Sequence, residues 1–396
     1  MSSLDEFREE TRQWLADNAP KSLYQTRRGA FDGFWGGRKC TEGTDDQRRW
    51  LEASLTRGWT APMWPTEYGG GGLSRPQAEV LVEELEALGL PPPLVGFGLV
   101  MIGPTLLDYG TVAQQEAFLP PTLRGEIRWC QGYSEPGAGS DVASLQTRGV
   151  VDGDAMVING QKVWTSHADK CDWIFCLVRT SSAGKKQEGI TFVLIDMETP
   201  GVSVRPIELI SGASPFCEVF LEDVRVPMAN VVGEVDKGWT VAKALLGYER
   251  SVIGRAIGSQ LEGAEGRLVE LARRHLDEPE GALRDAYLRH GIAELGMDEQ
   301  CFGLTLSRIQ QARESGKAPG PESSIVKIAG SELKPRRFEV TMRIAGPQAA
   351  GWEGPGFEAD DLQATRDWLR SRGNSIEGGT TEIQLNIIAR RVLGLP

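Results

Sequence analysis

Apolar positions in the first part of the chain recur at helical spacing behind explicit start signals. Ser3-x-x-Glu6 has the form of a capping box ahead of Leu4, Phe7, Trp14 and Leu15, and Pro20 closes that segment. Thr44-x-x-Gln47 opens a second helix through Trp50, Leu51 and Leu55 to Gly58. Ser74-x-x-Gln77 opens a third, through Val80, Val82 and Leu85 to Gly89, and Thr111-x-x-Gln114 a fourth that ends before Pro120. About 120 residues of helix thus precede any good strand.

The period then shortens. Gln146 to Val151 and Ala155 to Ile158 are β-prone runs around Asp152-Gly153, and Asn159-Gly160 marks a second tight turn before Gln161 to Trp164. Trp173 to Arg179, Ile190 to Ile195, Val202 to Leu209 and Cys217 to Val226 continue the series. Closely spaced strands of this kind predict a small antiparallel sandwich or barrel. Helical periodicity returns near Trp239 to His275, Leu283 to Ser315, Pro321 to Ile344 and Thr380 to Leu393. The predicted fold class is α+β, with an N-terminal helical domain (1–126), a middle antiparallel β-domain (127–236) and a C-terminal helical bundle (237–396).

Composition narrows the function. A formal net charge of −12, with no Lys/Arg block, argues against a nucleic-acid partner. Leu88 to Leu107 is apolar, but Pro91, Pro92, Pro93 and Pro104 interrupt it, so it is read as a buried loop and helix rather than a membrane span. The first residues carry neither a basic nor an apolar leader segment, which makes the cytoplasm the expected location. The six cysteines form no CxxC pair and the three histidines are scattered, so free thiols and no metal are expected.

The densest chemical signal is Trp129-Cys130-Gln131-Gly132-Tyr133-Ser134-Glu135-Pro136-Gly137-Ala138-Gly139-Ser140-Asp141. It reads as a strand end turning into a glycine-rich loop, where backbone amides can approach a ligand and Ser134 and Ser140 can donate hydrogen bonds. Gly137-Ala138-Gly139 lacks the third glycine of a dinucleotide fingerprint, and no βαβ unit surrounds it.

With this loop the sequence resembles the acyl-CoA dehydrogenase family along essentially its whole length. The further matching motifs are Asn159-Gly160-Gln161-Lys162-Val163-Trp164-Thr165-Ser166, Asp223-Val224-Arg225-Val226-Pro227, Gly233-Glu234-x-x-Lys237-Gly238-Trp239 and Gly378-Gly379-Thr380-Thr381-Glu382-Ile383-Gln384. The resemblance implies FAD and an acyl-CoA substrate. In such chemistry a carboxylate takes the α-proton of a thioester, hydrogen-bond donors stabilise the enolate, and the β-hydrogen leaves as hydride to the flavin. A half-buried glutamate has a raised pKa that suits it to this task.

By the resemblance, the backbone and hydroxyls from Gln131 through Tyr133 to Ser134 face the flavin pyrimidine, Trp164 packs on the ring system, and Thr165 and Ser166 supply a donor near N5. Gly139 belongs to the same cofactor loop, and Ser140 lies toward the pantetheine arm. Thr380 and Glu382 fall on the cofactor side of the C-terminal motif. Aligning that motif puts Gly378 where many members carry their catalytic glutamate, with Glu377 one residue early. Glu249 instead matches the alternative base position of isovaleryl- and long-chain-type members, flanked by Tyr248 and Arg250 as candidate substrate contacts. By residue type alone, Glu249 beside Arg250 would read as a solvated surface pair. The Gly378 N–H then falls where members donate to the thioester carbonyl.

Two family segments are degenerate. Leu271-Ala272-Arg273-Arg274-His275-Leu276-Asp277 lacks the Phe-Gly that grips the FAD pyrophosphate of a neighbouring subunit, and Ile344-Ala345-Gly346-Pro347-Gln348 departs from the usual Gly-Gly-x-Gly. Together with Trp173 to Arg179 and Lys185 to Ile190, they look like large subunits of the pimeloyl-CoA-dehydrogenase type. Both a homo-oligomer and a heteromer with a second dehydrogenase-like chain stay open, with an electron-transfer flavoprotein as electron acceptor. An acyl-CoA or nitroalkane-type oxidase and a non-catalytic, site-completing subunit are the alternative readings.

Overall fold

The computed structural model describes residues 3–27, 33–261, 264–276, 283–315, 320–321 and 323–396, with side chains described outside 250–267, 310, 313 and 314. By contact the chain divides into two compact units, residues 1–207 with 215–249, and 208–214 with 250–396.

The first unit begins with helices α1 (Ser3–Asn18), α2 (Asp45–Leu55), α3 (Arg75–Ala87), α4 (Gly103–Tyr109) and α5 (Val112–Leu123). The caps at Thr44 and Thr111 form as expected: each hydroxyl accepts the N–H three residues on, and each glutamine carboxamide accepts the cap N–H in return. The fourth helix does not end before Pro120, because α5 runs through Pro120 and Pro121 to Leu123. A proline lacks the donor but keeps its carbonyl, and those of Pro120 and Pro121 accept the N–H groups of Arg124 and Glu126. The apolar Leu88 to Leu107 segment folds as a loop, a π-helical turn (Gly98–Ile102) and α4, with Leu90, Ile102 and Leu106 buried. No described helix is long and apolar enough to cross a membrane.

Eight strands follow: β1 (Trp129–Gly132), β2 (Arg148–Asp152), β3 (Ala155–Ser166), β4 (Trp173–Arg179), β5 (Ile190–Asp196), β6 (Val202–Ile207), β7 (Phe216–Pro227) and β8 (Val231–Val232). They form one sheet in the order β6-β7-β3-β2-β4-β5-β8, with β1 beside β4. Most pairs are antiparallel, but β4 meets both β1 and β2 in parallel along one edge. Alternate residues of β4 and β5 enter two different cores. Ile174, Cys176, Val193 and Ile195 face the interior of the β-domain, where Met156, Val219 and Val226 also lie. Phe175, Leu177, Phe192 and Leu194 join residues from α4, α5 and the start of α6 (Gly238–Leu261). Burial on both faces is why these two strands read as continuous apolar runs.

Asn159-Gly160 is not the expected turn. β3 runs unbroken across it, with a register shift against β7 between Ile158 and Gly160. The Asn159 side chain exchanges two hydrogen bonds with Asp223, and a Cβ on Gly160, at φ +155°, would sit 2.5 Å from the Thr147 hydroxyl. The glycine serves close approach within a bulge rather than chain reversal.

The second unit holds α7 (Ala264–Leu276), α8 (Ala286–Glu314) and α9 (Ser323–Ala345) around Leu295, Phe302, Leu333 and Ile344, with α10 (Ala359–Ser371) and α11 (Thr381–Ile387) against α9. Helical periodicity in the sequence does not single out α10.

Candidate active site

Strand β1 sits beside β4, with Gln131 opposite Phe175. Successive side chains of a strand face opposite ways, so Trp129, Gln131 and Tyr133 share the side on which the helices pack. Trp129 is buried there and donates to the Thr122 hydroxyl at 2.9 Å. Tyr133 is buried edge-on to Phe175 and Phe192, and its hydroxyl has no hydrogen-bond partner among the described residues. Burial, reinforced by the Glu249 carboxylate, pushes that phenol well above its ordinary pKa. Its ring is therefore a core element, and only its backbone is available to a ligand.

The loop after β1 is pinned from below. Glu135 and Ala138 exchange backbone hydrogen bonds around Pro136-Gly137. The Glu135 carboxylate accepts the N–H groups of Gln146 and Thr147 and lies 2.7 Å from the Lys162 ammonium, with side chains 7% and 0% exposed. Burial alone would raise the Glu135 pKa, but the Lys162 charge and these donors bring it below the ordinary value. Lys162 also reaches the Tyr133 carbonyl, and the Val163 N–H donates to the Ser134 carbonyl at 3.0 Å. Lys162 stands inside the Asn159 to Ser166 motif, where the resemblance assigns it no role. The available signal was a lysine in a strand interior matched by a glutamate in the facing loop.

The same strand carries Val163 and Trp164 out of regular pairing before Thr165 and Ser166 rejoin β7 opposite Cys217 and Phe216. Register against β7 shifts again between Lys162 and Thr165. Trp164 adopts φ +60°, is 56% exposed, and meets Phe216 edge-on at 6.0 Å. It is not the core tryptophan that a strand end would suggest. A large side chain held outward in a left-handed conformation costs stability, the kind of strain that clusters at ligand sites. Thr165 turns inward, and its buried hydroxyl has no hydrogen-bond partner among the described residues. Ser166 is half-buried beside it.

Glu249 comes from α6. Val241, Ala242 and Leu245 form the buried stripe of that helix, and Glu249 continues it one turn beyond Leu245. It is half-buried, and the Gln131 carboxamide donates to its carboxylate at 3.4 Å. Half-burial departs from the solvated setting expected from residue type alone, while the expected pairing with Arg250 falls on a side chain outside the described residues. The adjacent Tyr248 hydroxyl donates to the Asp108 carboxylate of α4, and burial with that carboxylate raises its pKa. The Arg250 side chain and Asp277 lie outside the described residues.

In the second unit, Glu377 is held by Arg370 and Asn374, at 2.6 and 2.5 Å. Gly378 and Gly379 follow at φ +65° and +94°. Gln384, 5% exposed, donates to the Gly378 carbonyl at 3.3 Å, and a Cβ on Gly379 would lie 2.5 Å from its amide nitrogen. Thr380 caps α11 by accepting the Ile383 N–H at 3.3 Å, and Glu382 is in the first turn. Gln384 closes the Gly378 to Gln384 motif, where the resemblance assigns it no role.

Three family models match the chain: the N-terminal domain of acyl-CoA dehydrogenases over residues 3–126, the middle domain over 130–224 and the C-terminal domain over 236–393. The chain belongs to the acyl-CoA dehydrogenase family. This dehydrogenase is 37% identical to the acyl-CoA dehydrogenase IpdE1 of Mycobacterium tuberculosis, over 100% of its own length and 99% of that relative. Among solved structures it is similar to the Tcur3481-Tcur3483 steroid ACAD, at TM-score 0.78 and 30% identity, covering 100% of this chain and 98% of the other. The ChsE4-ChsE5 complex of Mycobacterium tuberculosis superposes at TM-score 0.74 and 28% identity, again covering 100% and 98%. The dehydrogenase is an oxidoreductase acting on CH–CH groups, in a family of flavoproteins.

Its own residues fit a flavin. The orphaned Thr165 hydroxyl needs a partner, Trp164 offers an exposed ring face, and added Cβ atoms on Gly137 and Gly139 would meet open space, leaving room for a ligand against the loop. Because Trp164 is mostly exposed, Trp164→Ala should change folding stability by about 0.5 kcal/mol or less. The same substitution should weaken FAD binding by roughly 10-fold through the lost ring contact. Thermal melting beside flavin titration of the apoprotein checks this, and a folding defect without a loss of flavin affinity would count against a cofactor role.

Proposed function

We propose that the chain catalyses FAD-dependent α,β-dehydrogenation of an acyl-CoA thioester, with Glu249 as the base. We assign residues 1–126, 127–236 and 237–396 to the three family domains. Glu249 takes the α-proton, and the Gly378 N–H donates to the thioester carbonyl as negative charge gathers there. Bound FAD supplies the two-electron acceptor for the hydrogen leaving the β-carbon with its electron pair, and an electron-transfer flavoprotein takes the electrons onward. The backbone of Gln131, Tyr133 and Ser134, the loop at Gly139, and Trp164, Thr165, Ser166, Thr380 and Glu382 hold the cofactor. Ser140, Tyr248 and Arg250 are assigned to the substrate.

The observation that carries this reading is Glu249 on the buried stripe of α6, within hydrogen-bonding reach of the strand that leads into the Ser134 to Asp141 loop. A lone surface glutamate would have no reason to sit there. A steroid-derived or other ring-bearing thioester is the proposed substrate class, and a second dehydrogenase-like chain the proposed partner. Support comes from the steroid ACAD and ChsE4-ChsE5 relatives together with the two degenerate segments, at Leu271 to Asp277 and Ile344 to Gln348.

The test is anaerobic flavin bleaching by octanoyl-CoA, pimeloyl-CoA and a steroid-side-chain CoA thioester, with and without a co-expressed partner chain. Bleaching by the ring-bearing thioester, followed by slow reaction with air, is expected. Rapid peroxide formation would favour the oxidase alternative instead.

A further inference from the structure

Gln131 was grouped with the cofactor-binding residues, but its described hydrogen bond points elsewhere. We infer that Gln131 is a positioning residue for the catalytic carboxylate: its side-chain amide fixes the orientation of Glu249. This inference rests on the reading of Glu249 as the base.

The geometry has three parts. Gln131 lies near the end of β1, a strand held by four residue pairs with β4 and flanked by the fully buried Trp129 and Tyr133, so its Cα is fixed by the sheet. Glu249 lies one turn past Leu245, which is fully buried in the α6 stripe where the helix packs on the side of the sheet that Gln131 faces. The Gln131 Nε2 donates to Glu249 Oε2 at 3.4 Å, and Tyr133, just past the end of the strand, is close enough for its ionisation to be opposed by the same carboxylate. A donor on a rigid strand, aimed at a carboxylate on the helix packed against it, restricts the carboxylate rotamer before substrate arrives. Abstraction of an α-proton depends on that orientation, since small misplacements of a reacting group cost large factors in rate.

A positioning role and a flavin contact predict different results. In the assembly that takes up FAD, Gln131→Met keeps the side-chain length and removes the amide. Anaerobic flavin reduction is followed with whichever of octanoyl-CoA, pimeloyl-CoA and the steroid-side-chain thioester bleaches the unaltered protein. We expect the first-order reduction rate to fall about 10-fold, as for loss of a hydrogen bond to a charged group, with FAD affinity and the flavin spectrum unchanged. In a Glu249→Asp background, where the carboxylate is already withdrawn by one methylene, the same Gln131 change should cost less than about 3-fold, because coupled residues are non-additive. Gln131→Asn, which keeps an amide on a shorter arm, should fall between and serves if the methionine variant does not fold.

Multiplying effects in the double variant, weakened FAD binding, or an unchanged rate would each overturn the assignment. Glu249→Gln made alongside separates the two claims. If that variant still reduces its flavin, the base reading fails. If it does not, and Gln131→Met is unaffected, only the positioning role fails.

Discussion

Glu249→Gln lowers the rate of flavin reduction by about 10²- to 10⁴-fold, the usual share of a general base, while FAD stays bound. The substitution is nearly isosteric, and the amide oxygen can still accept from Gln131, so α6 keeps its packing through Val241, Ala242 and Leu245. What is lost is the capacity to take a proton. The competing residue, Glu377, is already engaged by Arg370 and Asn374, so Glu377→Gln should disturb a local ion pair and leave most of the turnover intact. Stopped-flow reduction of the two variants side by side decides the matter. An active Glu249→Gln with an inactive Glu377→Gln would reverse the assignment of the base.

What the sequence made legible follows from the range of each interaction. The caps at Thr44 and Thr111 involve residues three apart, so they could be read directly and they form. The apolar runs of β4 and β5 announced strands, though not that two cores share them. Asn159-Gly160 misled because its meaning is set by Thr147 and Asp223, which are distant in sequence. Trp164 is a similar case: only the register shift of β3 against β7 decides that the ring faces outward while Thr165 turns in. Tyr133 looked like a ligand-facing hydroxyl, yet strand alternation from the buried Trp129 already placed it on the core side. Glu249 is the instructive residue. Beside Arg250 it resembles any surface pair, and its meaning emerges only when the spacing of 241, 242, 245 and 249 is followed along one face of the helix.

Lys162→Met should destabilise the first unit by about 3–5 kcal/mol, the cost of leaving a buried carboxylate without its cation. Lys162 is wholly buried and Glu135 nearly so, which leaves little solvent to screen the loss. The backbone donors of Gln146 and Thr147 remain, so the carboxylate is weakened rather than abandoned. For the same reason, replacing both partners with apolar residues should recover only part of the loss, since those two N–H groups would then be orphaned. The pH dependence has a definite sign. The folded Glu135 pKa is depressed, so its contribution is complete above the unfolded carboxylate value of about 4.3 and is lost as pH falls through the lower folded value. Lys162→Met should therefore flatten the acid limb of the stability curve as well as lower its plateau. Flavin should go with it, because the ion pair and the Lys162 contact to the Tyr133 carbonyl hold the loop from below. Denaturant unfolding at neutral and acid pH, with flavin content of the same samples, measures all three effects. An unchanged midpoint with flavin retained would mean that the loop is held without this pair.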